Sequence, residues 1–281
     1  MLLALPLLIA SLANAGGPES RFAKLDGHQV HYQSLGEGPM AVVLIHGWSC
    51  SLEVWRAQVP AFDGKVRTVL IDLPGHGKSD KPEIDYTMDL FARAVVAVLD
   101  GAKVERAVLV GHSMGTPVCR QVWRLAPKRV LGIVAMDGSL RRFPMKPEDE
   151  NKFLGQFEGP DFAEAVVRFV DGMFPAGSDR KLRVEVLGIM RGTPQHVAAS
   201  AMKGMVKDDS VWKEDAIEVP LLALMAKARF WNDEYWAEAR KVAPRLERRT
   251  FEGVGHFLMM EKPEPVNEAL LAFLKDQGLV K

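Results

Sequence analysis

The hydrophobic pattern changes character several times along the chain, and each change predicts an element. Phe22-Ala23-Lys24-Leu25 and Gln29-Val30-His31-Tyr32 read as two short strands joined by Asp26-Gly27, a strong hairpin signal. Residues 41–45, 66–71, 107–110, 130–136 and 221–225 follow as short apolar runs bounded by turn residues. They lack a clean in-and-out alternation, which fits strands buried on both faces beneath covering helices. Between them Leu90, Phe91, Ala94, Val95, Val98 and Leu99 recur at helical spacing and predict a helix over residues 88–99. Strand and helix in alternation imply a mostly parallel α/β sheet with an antiparallel start.

The alternation breaks between Leu140 and Glu218, where phenylalanines such as Phe157 and Phe169 mix with Met145, Met173, Met190, Met202 and Met205. This predicts a helical insertion between two strands. Flexible apolar side chains suit a cap that closes over a greasy ligand, beyond those that form the insertion's own small core. After it, residues 231–243 read as a helix, 246–251 as a last strand and 264–275 as a C-terminal helix. The expected organisation is a core of residues 21–139 and 219–281, interrupted by a cap at 140–218.

Residues 2–12 are almost entirely apolar and end in Ala13-Asn14-Ala15, a small-x-small pattern suited to cleavage after Ala15. Residues 1–15 are therefore expected to be a signal peptide, although no Lys or Arg precedes the apolar stretch. The run is too short to span a bilayer, which takes about 20 apolar residues. The expectation is a secreted or periplasmic protein with no stable membrane insertion after cleavage. The remaining 281-residue arithmetic narrows the partners: 36 basic against 36 acidic residues give no basic excess for nucleic acid. Two cysteines, Cys50 and Cys119, exclude a disulfide framework, and separate buried thiols are favoured over one bridge. No GxGxxG, P-loop or HExxH pattern occurs, so no nucleotide, flavin or metal is expected.

Gly111-His112-Ser113-Met114-Gly115 lies directly after a predicted buried strand and before a helical stretch, the context in which G-x-S-x-G is informative. A sharp strand-to-helix turn lifts a serine hydroxyl clear of the backbone, and flanking glycines let the turn pack closely. Ser113 is thus the candidate nucleophile. Serine needs a base to take its proton. Of seven histidines, His256 stands out in Gly253-Val254-Gly255-His256-Phe257, a loop after the last strand, late in the order serine, acid, histidine. His28, His31 and His196 lack such a setting and read as surface or fold residues.

From about residue 21 to the C-terminus the chain resembles the α/β-hydrolase superfamily. The resemblance is carried by His46-Gly47-Trp48, by Asp72-Leu73-Pro74-Gly75-His76-Gly77-Lys78-Ser79, by the Gly111 to Gly115 turn and by Gly255-His256-Phe257. It implies an α/β-hydrolase fold with a helical cap, and an oxyanion hole formed by the backbone N–H groups of Trp48 and Met114. His46 is expected to brace its turn, and Asp72 with the Pro-Gly-His-Gly segment to shape a loop. The acid that should orient His256 departs from the commoner pattern, because the place beyond the strand opened by Pro220 holds Arg229. The other placement in the family is the end of the sixth strand, where Asp137 stands. Asp137 is the expected acid and Asp233 the alternative, although Asn232-Asp233-Glu234 also reads as a capped first helical turn.

The resemblance implies a serine hydrolase acting on a small-molecule ester that is uncharged or apolar. Haloalkane dehalogenases and epoxide hydrolases resemble one another in an aspartate nucleophile, which Ser113 argues against. A lactone or carbon–carbon bond hydrolase using the same triad is the alternative reaction. A non-catalytic protein that uses the fold as a ligand pocket is the alternative from another class.

Overall fold

The computed structural model describes residues 19–280, so the apolar segment 1–15 and its expected cleavage site lie outside the described residues. Eight strands among these residues form one sheet: β1 (Glu19–Leu25), β2 (His28–Leu35), β3 (Met40–Ile45), β4 (Thr68–Ile71), β5 (Arg106–His112), β6 (Val130–Met136), β7 (Leu221–Ala226) and β8 (Leu246–Phe251). Their spatial order is β1-β2-β4-β3-β5-β6-β7-β8, antiparallel from β1 through β4 and parallel from β4 to β8. The helices are α1 (Val59–Phe62), α2 (Met88–Gly101), α3 (Gly115–Leu125), α4 (Pro147–Glu158), α5 (Phe162–Asp171), α6 (Arg180–Arg191), α7 (Gln195–Lys207), α8 (Asp233–Val242), α9 (Leu258–Glu261) and α10 (Pro263–Asp276). Among the described residues no helix is long and apolar enough to cross a membrane.

The apolar runs become strands because both their faces are covered. Ala41 to Ile45 and Ala107 to Val110 are fully buried, as the unbroken hydrophobicity requires. Thr87 caps α2 by accepting from the Leu90 N–H at 3.1 Å, and Phe91, Ala94, Val95, Val98 and Leu99 bury its inner face. The hairpin is longer than the hydrophobic pattern suggested. β1 begins at Glu19 and β2 runs to Leu35, because β2 is paired on both edges, Glu19 opposite Ser34 and Leu35 opposite Thr68. Ladder pairing carries the polar residues Gln33 and Ser34 that periodicity left out.

Strand order reverses direction at β3 and β5: β4 lies on one side of β3 and β6 on the far side of β5. In open α/β sheets a crevice forms at the carboxyl ends of the strands at such a switch point. The turns leaving β3, β5 and β6 therefore converge at one edge. Four helices, α4 to α7, separate β6 from β7 in the chain. Arg120 on α3 grips both ends of that insertion, donating to the carbonyls of Leu140 and Lys213 at 2.6 Å each. It is buried, and burial pushes its guanidinium down to about 10. Arg124, one turn along, bonds the carbonyls of Ser210 and Val211 and pairs with Asp215.

A buried polar frame holds the loop after β4. The Asp72 carboxylate accepts from His31 Nδ1 at 2.7 Å and from the N–H groups of Leu52 and Lys78 at 2.8 and 2.9 Å. His46 donates from Nδ1 to the Gly47 carbonyl and accepts the Leu73 N–H at Nε2, bracing two loops at once. Burial lowers the pKa of His46, of His112 and of His76, the last to about 3. These imidazoles are neutral when folded, yet an unfolded histidine takes a proton near pH 6.5. Stability is therefore fully present above that pH and is lost as pH falls toward the folded values. His76 alone should cost about 2 kcal/mol between pH 7 and pH 5. Urea unfolding at the two pH values measures the three histidines together, and a pH-independent midpoint would refute the assignment.

Candidate active site

The Gly111 to Gly115 turn closes β5 and opens α3, and its sequence explains its geometry. Ser113 has φ +51°, a left-handed conformation that costs a non-glycine residue about 1–3 kcal/mol and holds its side chain at the turn's apex. A Cβ on Gly111 would overlap the Gly115 carbonyl, and a Cβ on Gly115 would overlap that of Ile45. Only glycine permits both approaches. The Ser113 N–H donates to the Met136 carbonyl at 3.0 Å, tying the turn to the end of β6.

Asp137 follows β6 immediately, its own N–H donating to the Leu224 carbonyl at 2.8 Å. It too has positive φ, +44°. One carboxylate oxygen accepts the His256 Nδ1–H at 2.7 Å, and the other accepts the Ala226 N–H at 2.9 Å. The carboxylate is thus buried and locked by strand β7 in the orientation that fixes the imidazole. With Nδ1 donating, Nε2 carries the lone pair that a base requires. Ser113, Asp137 and His256 line one cavity of about 380 Å³. The structure brings these three together.

Asp233 is not among them. Its carboxylate is fully exposed in the first turn of α8, 3.9 Å from Arg248, while Asn232 caps that helix through the Tyr235 N–H. The acidic pair serves the helix N-terminus, where negative charge is favoured.

The turn after β3 abuts the nucleophile turn: a Cβ on Gly47 would stand 3.0 Å from the Ser113 Cβ. Among the described residues neither the Trp48 nor the Met114 backbone N–H donates to a carbonyl. Two backbone donors on the turns that meet at Ser113 are thus left without a carbonyl partner. The Trp48 indole has a different task. It donates from Nε1 to the Ala198 carbonyl at 2.7 Å and packs on Phe157 and Phe169, with ring centroids 4.8 and 5.3 Å away. Trp48 thus follows the turn that abuts Ser113 while its side chain is held by the insertion.

Three supports for His256 carry no sequence signal. Its N–H donates to the Met173 carbonyl at 2.8 Å, and its carbonyl accepts from His112 Nε2 at 2.9 Å. Glu261 accepts the Gly255 N–H at 2.8 Å and the Ser178 hydroxyl at 3.3 Å, and burial raises its pKa. His112 could have been suspected, since it adjoins Ser113, but its partner lies 144 residues away. Cys50 and Cys119 are separate buried thiols, and burial pushes Cys50 up to about 12 and Cys119 higher still. Neither resembles an activated thiolate.

The family model for the alpha/beta hydrolase fold matches residues 40–174. The dihydrolipoyllysine-residue acetyltransferase component of the acetoin cleaving system of Pseudomonas putida is 30% identical, covering 93% of this chain and 70% of that protein. Bifunctional epoxide hydrolase 2 of Rattus norvegicus is 26% identical over 89% of the chain, and the chain spans only about half (54%) of its length. Among solved structures, Est816, described as an N-acyl homoserine lactone degrading enzyme, superposes with a TM-score of 0.76 at 29% identity, covering 90% of this chain and 100% of that one. With the sheet order, the strained serine turn and the switch-point crevice already in place, the chain belongs to the α/β hydrolase superfamily.

Proposed function

We propose that the protein is a serine hydrolase that cleaves an uncharged or apolar carboxylic ester through an acyl-enzyme. The observation that carries this reading is the His256–Asp137 pair at 2.7 Å on the wall of the cavity that Ser113 also lines. Ser113 Oγ attacks the ester carbonyl while His256 Nε2 takes its proton. The Trp48 and Met114 N–H groups receive the oxyanion, each worth about 3 kcal/mol of transition-state stabilisation. The C–O bond to the alcohol then breaks and His256 returns the proton to the leaving oxygen. Water repeats the sequence on the acyl-enzyme and frees Ser113.

The cavity wall suits an apolar substrate: Phe143, Met145, Trp212, Phe230 and Trp231 contribute to it. Its one arginine, Arg142, is already paired with Glu150 at 2.7 Å and Asp209 at 2.5 Å, leaving no free charge for an anionic substrate. A lactone, an ester closed on itself, is the second reading, favoured by the likeness to Est816. A fluorophosphonate probe tests the nucleophile directly. The expected result is a single adduct that peptide mass analysis maps to Ser113, lost when the protein is heat-denatured first. Intact protein that takes up no probe would return weight to a binding protein without turnover.

A further inference from the structure

A second, much smaller cavity adjoins the first at Ser113 and His256, and the pair differ in more than size. It holds about 30 Å³, room for on the order of two water-sized groups. Trp48, Cys50, Met173, Met190 and Met202 wall it, and every residue lining it is buried or half-buried. The larger cavity opens at a rim where Phe143 and Met145 are each 39% exposed and Phe230 is 53% exposed. Met205 lines both, as Ser113 and His256 do.

Both groups of an ester must be housed around Ser113, and the order of product release decides which goes where. The alcohol leaves first, while the acyl group is still bonded to Ser113 Oγ. An alcohol in the small methionine pocket would have to leave past the acyl-enzyme, whereas one in the larger cavity departs through the rim. Water for deacylation then enters by the same route. The small acid follows last, through the space the alcohol has vacated.

Resting on the serine esterase reading above, we infer that the substrate is an ester of a short acid, of about two to three carbons, with a bulky apolar alcohol. The acyl group sits in the methionine pocket beside the oxyanion donors, the alcohol lies along the aromatic cavity, and Met205 sets the acyl length. The methyl ester of a large acid, the reverse arrangement, is disfavoured.

The test holds the alcohol fixed and varies the acid: kcat/KM for 2-naphthyl acetate, butyrate and octanoate, with methyl octanoate as the reversed ester. Acetate should exceed octanoate by on the order of 100-fold, with methyl octanoate slower still. Met205→Ala should merge the cavities and shrink the acetate-to-octanoate ratio by about 10-fold, whereas Met205→Leu should keep it near wild type. Thermal melting and probe labelling at Ser113 confirm that both variants remain folded with a competent site. Octanoate hydrolysed as fast as acetate, methyl octanoate preferred, or a ratio unmoved in Met205→Ala would each overturn the inference while leaving the esterase reading intact. No turnover of any ester, together with no Ser113 labelling, would overturn that reading and the inference with it.

Discussion

Ser113→Ala lowers kcat for ester hydrolysis by a factor of about 10⁵ and leaves the fold unchanged. The size follows from what a single oxygen does here. Without Oγ no acyl-enzyme forms, and His256 faces a methyl group that has no proton to give. The oxyanion donors and the apolar cavity survive, so a residual acceleration of about 10³ over water should persist. Stability is expected to change by less than about 1 kcal/mol, because one half-buried oxygen is removed and the positive φ of residue 113 is kept by its neighbours. Stopped assays at high enzyme concentration measure the residue of activity, and a melting curve checks the fold. A variant that retained a tenth of wild-type turnover would end the covalent route.

Asp137→Asn is the second large effect, a loss of about 10⁴ in kcat. The asparagine oxygen can replace the one that accepts the Ala226 N–H, so the strand contact and the fold are retained. The amide NH₂ then meets His256 Nδ1, where the carboxylate had been. Nδ1 is forced to accept, the proton moves to Nε2, and the imidazole can no longer take one from Ser113. KM should change little, since no substrate contact is lost. Asp233→Asn, in contrast, should stay within about twofold of wild type, as befits an exposed helix-cap carboxylate. Equal losses in the two variants, or a loss confined to Asp233→Asn, would require another acid.

Much of this arrangement was legible in the sequence, for identifiable reasons. Buried strands announce themselves as unbroken apolar runs, and residues 130–136 coincide with β6. The serine turn is local, written in five consecutive residues whose glycines are sterically compelled. Asp137 was readable because a strand end fixes which edge of the sheet it occupies. What the sequence hid is everything held by distant partners. His31 looked like an ordinary strand residue, yet it is buried against Asp72, 41 positions on. The hydrogen bonds of the His256 loop with Met173, His112 and Glu261 likewise involve the loop's backbone groups, which every residue type possesses. Asp233 was ambiguous for a related reason: a helix cap and a catalytic acid demand the same side chain, and only its exposure separates them.

The hold of the insertion on the His256 loop bears on how such enzymes can be recombined. Met173 lies on the chain after α5, yet its carbonyl anchors the His256 N–H, and Gly255 approaches it so closely that a Cβ would overlap it. Transplanting a helical insertion from a relative by cutting near Leu140 and Glu218 would thus replace part of the mounting of the imidazole along with the four helices. Chimeras that keep residues 173–178 from the host, and exchange only the helices on either side, respect that seam. Those that do not should fold and yet turn over slowly, a failure easily mistaken for poor substrate fit.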